Sequence, residues 1–69
     1  MTQNQRIIQH MRKWGGITTL EAINCYGITR LPARIGELRE QGIPITDAWE
    51  TGENRYGELV RYKRYRLEA

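Results

Sequence analysis

The sequence is short of the residues that most site chemistry requires. It holds one cysteine, Cys25, and one histidine, His10, in 69 residues. A single thiol excludes an internal disulfide and is consistent with a reducing compartment. His10 and Cys25 lie too far apart to begin a metal set of ordinary spacing, so no metal and no cofactor are expected. His10 reads as a surface residue of the first helix and Cys25 as semi-buried in the second. There is no glycine-rich phosphate loop and no paired-carboxylate motif, and Cys25 has no base pattern around it. A chain of this size also encloses little volume for a pocket. The expectation is a protein that is not an enzyme. No apolar run approaches the length that spans a bilayer, and the polar start Met1-Thr2-Gln3-Asn4-Gln5 is unlike a signal peptide. A cytoplasmic protein with no membrane attachment is expected.

What is present is the composition of one small folded domain over residues 1–69. The hydrophobic fraction of 39% and charged fraction of 28% are polar for a globular chain but not those of a disordered one. The net charge of +3 favours a polyanionic partner without requiring one. Its placement says more. Between Asn54 and Leu67 stand Arg55, Arg61, Lys63, Arg64 and Arg66 against the single acid Glu58.

Helical periodicity marks three helices, at about 3–14, 19–26 and 30–41. In the first, Ile7, Ile8, Met11 and Trp14 share one face, and Gly15-Gly16 ends it. Thr18 and Glu21 form a capping box that opens the second, with Leu20, Ile23 and Cys25 or Tyr26 pointing inward. Gly27 stops that helix and only a few residues separate it from the third. In the third, Thr29 is the expected cap, Pro32 sits in the first turn, and Leu31, Ile35 and Leu38 form the buried stripe. Gly42 ends it in a left-handed conformation, with Ile43 packing back. Ile17-Thr18 is a short extended piece able to pair with a C-terminal hairpin. The hairpin strands are expected at about 44–51 and 58–67, with Ile43, Ile45 and Trp49 on one side and Tyr65 and Leu67 on the core. Val60 and Tyr62 are out of phase with Tyr65, which calls for either a bulge or an exposed aromatic near Lys63. Two short helices joined by a glycine turn, then a basic hairpin, make an α+β winged helix-turn-helix in which the hairpin is the wing.

Three stretches carry a resemblance over nearly the whole chain, from about Gln5 to Leu67. They are Gly16-Ile17-Thr18-Thr19-Leu20-Glu21-Ala22, Tyr26-Gly27-Ile28-Thr29-Arg30-Leu31-Pro32-Ala33-Arg34-Ile35 and Leu38-Arg39-Glu40-Gln41-Gly42-Ile43-Pro44-Ile45, followed by the closing Arg64-Tyr65-Arg66-Leu67. Together they resemble a family of small helix-turn-helix proteins common in bacteriophages and prophages. The resemblance implies a winged helix fold and DNA binding; it supplies no operator and no regulated gene.

The residues themselves suggest how duplex DNA would be held. Arg30 and Arg34 can reach guanine edges or phosphates, Ala33 permits close approach to the groove floor, and Glu37 can accept from a cytosine amine. Thr29 and the free N–H groups of the first turn can hold a phosphate. On the wing, Asn54 and Arg55 mark the tip and Arg61, Lys63 and Arg64 form a basic stripe for the minor groove and phosphates. The blander counterparts are a solvated helix face and an edge strand blunted by charge. A transcriptional regulator or architectural factor of phage type is the first functional reading. The alternative is a protein-interaction winged helix, an adaptor or accessory subunit carried by Trp49, Tyr56 and Tyr62. So small a domain covers a short site, so a homodimer, tandem binding or a partner protein is expected to complete specific recognition.

Overall fold

The computed structural model describes residues 1–68. Its elements run α1 (Gln3–Trp14), β1 (Ile17–Thr18), α2 (Thr19–Tyr26), α3 (Leu31–Glu40), β2 (Ile45–Glu53) and β3 (Leu59–Leu67). The three strands form one antiparallel sheet in the order β1-β3-β2. This is an α+β fold, and its C-terminal hairpin projects past the body as a wing.

Local chemistry starts and stops the helices. Thr2 and Gln5 form a capping box at α1, and Thr18 and Glu21 form one at α2. The end of α3 is a Schellman turn: Gly42 is left-handed at φ 86°, its N–H donates to the Arg39 carbonyl, and the Ile43 N–H donates to the Leu38 carbonyl. Ile7, Ile17, Ile28, Leu31, Ile35 and Leu38 are fully buried where the three helices meet the base of the sheet. Burial of each such side chain stabilises the fold by about 1.5–3 kcal/mol.

Several expected positions differ. Thr29 does not cap α3. The cap position falls on Arg30, no side chain bonds to the helix start, and α3 begins at Leu31. With Arg30 as cap, the second helical residue is Pro32, which has no N–H to receive a cap. Trp14 lies on the stripe of Ile7 and Met11 but is 65% exposed, because α1 ends at Gly15 and carries Trp14 past the edge of the core. His10 fills part of that stripe instead and is buried, with Nδ1 2.7 Å from the Tyr26 hydroxyl.

In α2 the inward residues are Ala22 and, half-buried, Tyr26; Leu20, Ile23 and Cys25 are exposed. The capping box fixes α2 to β1, and small Ala22 lets the short helix sit close with Leu20 turned out. The hairpin register is unbroken from Ile45 opposite Leu67 to Glu53 opposite Leu59, so there is no bulge. Val60 and Tyr62 lie on the sheet face opposite Tyr65, the former exposed and the latter half-buried. Trp49 shares the face of Ile45 as expected, yet is 58% exposed because the hairpin outruns the core.

Candidate nucleic-acid interface

The two elements with basic residues, α3 and the wing, treat them differently. On α3, Arg34 donates to both carboxylate oxygens of Glu37 at 3.0 Å and to the Gln3 side chain at 3.1 Å. Asn4 donates to the same Glu37 at 3.4 Å. Arg34 and Glu37 are thus drawn to one flank of α3, against the start of α1. The hydrogen bond from Arg34, then that from Asn4, holds the exposed Glu37 carboxyl below its ordinary pKa. On the other flank, Arg39 donates to the Ile45 carbonyl at 3.2 Å and to Asp47 at 3.0 Å. That contact joins α3 to the base of the wing. The outermost line of α3 is left to Ala33, Gly36 and Glu40. Arg30, at the N-terminus, is exposed and makes no ion pair among the described residues. Thr29 is exposed in the turn before it.

The wing tip is a tight turn over Asn54-Arg55-Tyr56-Gly57. Asn54 is committed to that turn: its side-chain oxygen accepts from the Tyr56 and Glu58 N–H groups, and its amide donates to Glu58. Gly57 takes φ 76° at the end of the turn, two residues before β3 begins. Arg55 and Tyr56 stand exposed at the tip. Further down, Trp49 lies opposite Lys63 in the ladder. Arg61 sits 4.9 Å and Lys63 5.1 Å from the centre of its ring. A ring face at this distance attracts a cation without neutralising it, so both keep their charge for an external anion.

Arg64 behaves otherwise. Only 22% of its side chain is exposed, and it donates to Glu50 at 3.1 Å and to Glu21 at 3.2 Å. Burial pulls its pKa down, but the hydrogen bond to Glu50 and the charges of Glu21 and Glu50 carry it above the ordinary arginine value. Glu21 also caps α2 and lies 3.7 Å from His10 Nε2. Arg64 therefore ties the wing to the helices, and its stem lies against Gly16, where a Cβ would meet it at 2.9 Å. Arg66 reaches Glu50 from the exposed side at 3.5 Å.

Of the site residues expected from sequence, Arg61 and Lys63 come together over Trp49 and Arg55 stands at the wing tip, all three without an ion pair among the described residues. Arg30 offers a free charge at α3, beside Thr29 and Ala33. Arg34, Glu37, Asn54 and Arg64 are held by internal partners. Sequence reading missed the platform role of Trp49 and the anchoring roles of Gln3, Asn4 and Glu50. The register set by the Asn54–Gly57 turn was the available signal, since it puts Trp49 opposite Lys63 and Glu50 diagonal to Arg64. Among the described residues no His, Cys, Asp and Glu group could hold a metal ion, and no helix is long and apolar enough to cross a membrane.

A search of curated proteins returned no match to this chain, and a search of solved structures returned none. A family model does match, over residues 2–69, and its description is a winged helix-turn-helix domain. That fold suggests DNA binding in general. With its three helices, antiparallel sheet and wing, the chain belongs to the winged helix-turn-helix domain family.

Proposed function

We propose that this chain binds duplex DNA as a regulator or architectural factor of phage type and carries no catalytic activity. The observation that supports this reading is the partition of its cations. Arg34, Arg39, Arg64 and Arg66 are matched by internal carboxylates. Arg30, Arg55, Arg61 and Lys63 have none among the described residues. Arg6, Arg12 and Lys13 on α1 are likewise without an ion pair among the described residues, so the argument rests on where Arg30, Arg55, Arg61 and Lys63 stand: unpaired cations at the start of α3 and along the wing suit phosphates. In this reading the wing holds the backbone and reaches the minor groove through Arg55. The start of α3 enters the major groove with Arg30 leading, and Ala33 and Gly36 allow close approach.

The test is selection from a random duplex pool by the full chain, followed by salt titration of the enriched sequences. An enriched motif with a steep salt dependence supports the reading. Motif-free binding that disappears near physiological salt overturns sequence-specific recognition. One observation favours the second reading, an adaptor that docks on protein: the outer line of α3 carries Glu40 beside Ala33 and Gly36, and no free cation until Arg30.

A further inference from the structure

Part of β3 has an open edge. β1 covers β3 only at Tyr65 and Arg64, because the chain turns into α2 at Thr19. The Asn54 N–H donates to the Glu58 carbonyl at 3.0 Å, and the Glu68 N–H to the Pro44 carbonyl at 2.9 Å. Bonded and non-bonded pairs alternate along an antiparallel ladder. Even-numbered residues of β3 therefore bond to β2, and odd-numbered ones turn their backbone groups away. Tyr65 is odd, and it is paired by Ile17 of β1. The N–H and C=O groups of Leu59 and Arg61 and the N–H of Lys63 continue that series with no strand beside them among the described residues, the register at Thr18 and Arg64 having brought Thr19 to the Lys63 carbonyl.

A groove of about 450 Å³ runs along this edge, between the start of α2 and the wing. Leu20, Val60 and Tyr62 supply its apolar wall, and Leu20 is 65% exposed. Arg61 and Lys63 stand on the other face of the same strand. A strand laid along the edge would extend the line of β1. Its side chains would alternate, one set entering the groove and the other lying beside Arg61 and Lys63. We propose that the open β3 edge takes an extended segment of a partner protein in which apolar and acidic residues alternate, adding it as a fourth strand. Charge complementarity selects this occupant, since Arg61 and Lys63 have no acidic partner among the described residues. β2 of a second copy fits poorly, because it would bring Glu50 into the groove with the Thr46 and Ala48 face. An acidic strand here would cover Arg61 and Lys63 and so compete with duplex DNA for the wing. The edge and the Leu20 groove themselves stand apart from the DNA-binding reading.

The test is selection of displayed random peptides of about nine residues, roughly one strand in length, on the full chain. Enriched sequences are expected to alternate acidic and apolar residues. A synthetic peptide of the enriched sequence should slow amide exchange at Leu59, Arg61 and Lys63. Leu20→Asp should weaken it about tenfold by spoiling the groove. Leu59→Pro should do the same by removing an outward N–H, while the bonds to β2 remain. Neither variant should change duplex binding, which separates failure here from failure of the DNA-binding reading. No enrichment, enrichment without alternation, or equal binding by both variants overturns the proposal. So does edge protection in the peptide-free chain that grows with its concentration, because a second copy is then the occupant.

Discussion

The third helix and the outer part of the wing use their basic residues differently. On α3, Arg34 and Arg39 are spent on Glu37, Gln3, Ile45 and Asp47, contacts that fix the helix between α1 and β2. On the wing, Arg61 and Lys63 rest on the Trp49 ring and Arg55 stands exposed at the tip without an ion pair among the described residues. The difference lies in the kind of partner, since Arg64 and Arg66 at the base of the wing are matched by carboxylates as Arg34 and Arg39 are. A carboxylate partner neutralises a guanidinium; an aromatic face orients it and leaves its charge outward. Basic residues in a recognition helix therefore do not by themselves make an electropositive helix, and the wing is the stronger source of field in this fold.

The sharpest way to break that comparison is to neutralise each side separately. Combined Arg55→Ala, Arg61→Ala and Lys63→Ala should lower duplex affinity by about a hundredfold at low salt and flatten the salt dependence by about one unit per lost phosphate contact. Arg34→Ala should leave the slope unchanged, because Arg34 already has its anion. Fluorescence anisotropy across a salt series reads both. A slope that falls as much for Arg34→Ala as for a single wing substitution would abolish the distinction between helix and wing.

Arg64→Ala should act on stability rather than on binding. It leaves Glu21 and Glu50 without their shared cation and opens space against Gly16. For a site only partly screened by solvent the expected loss is about 1–3 kcal/mol, read by urea denaturation. The salt slope of the remaining folded protein should match the wild type. Stability unchanged in this variant would show that the wing does not depend on its tie to α2.

Much of the fold was legible because its signals are local. The Thr18–Glu21 box, Pro32 in the first turn of α3 and the Gly42–Ile43 ending act within four residues of themselves, and the structure carries all three. What failed needed the third dimension. Trp14 and Trp49 obey the right periodicity, but periodicity cannot say where the core stops, and both fall beyond it. Leu20 outranks Ala22 on any hydrophobic scale, yet the capping box turns Leu20 outward. The cap of α3 falls on Arg30, one residue past the expected Thr29. At the site, the free and matched cations could not be told apart without the register that sets Glu50 near Arg64 and Trp49 opposite Lys63.

A smaller effect probes whether α3 approaches DNA at all. Gly36 lies mid-helix with open space where a Cβ would stand. Gly36→Ala should therefore stabilise the fold by about 0.5–1 kcal/mol through helix propensity. If the outer line of α3 meets a groove floor, the same methyl should cost affinity for the selected sequence while leaving non-specific binding intact. A variant that is more stable and binds the selected sequence equally well would leave the wing as the sole contact.

The smallest expected effect concerns Glu37, whose carboxyl is held below its ordinary pKa by Arg34 first and Asn4 second. A carboxylate with a lowered folded-state pKa binds its proton less readily in the folded chain than in the unfolded one. Its contribution to stability is therefore present in full above the unfolded pKa and is lost as pH falls through the folded value. Because Glu37 is solvent-exposed, this contribution is small, and the carboxyl carbon chemical shift followed by NMR is a better reporter than global unfolding. Arg34→Ala should return the Glu37 midpoint toward the ordinary carboxylate range, and Asn4→Ala should move it part of the way. Bound DNA sharpens the reading further. If Arg34 leaves Glu37 to reach a phosphate or a guanine, the Glu37 midpoint should rise in the complex; if the wing alone carries the charge contacts, it should stay where Arg34 holds it.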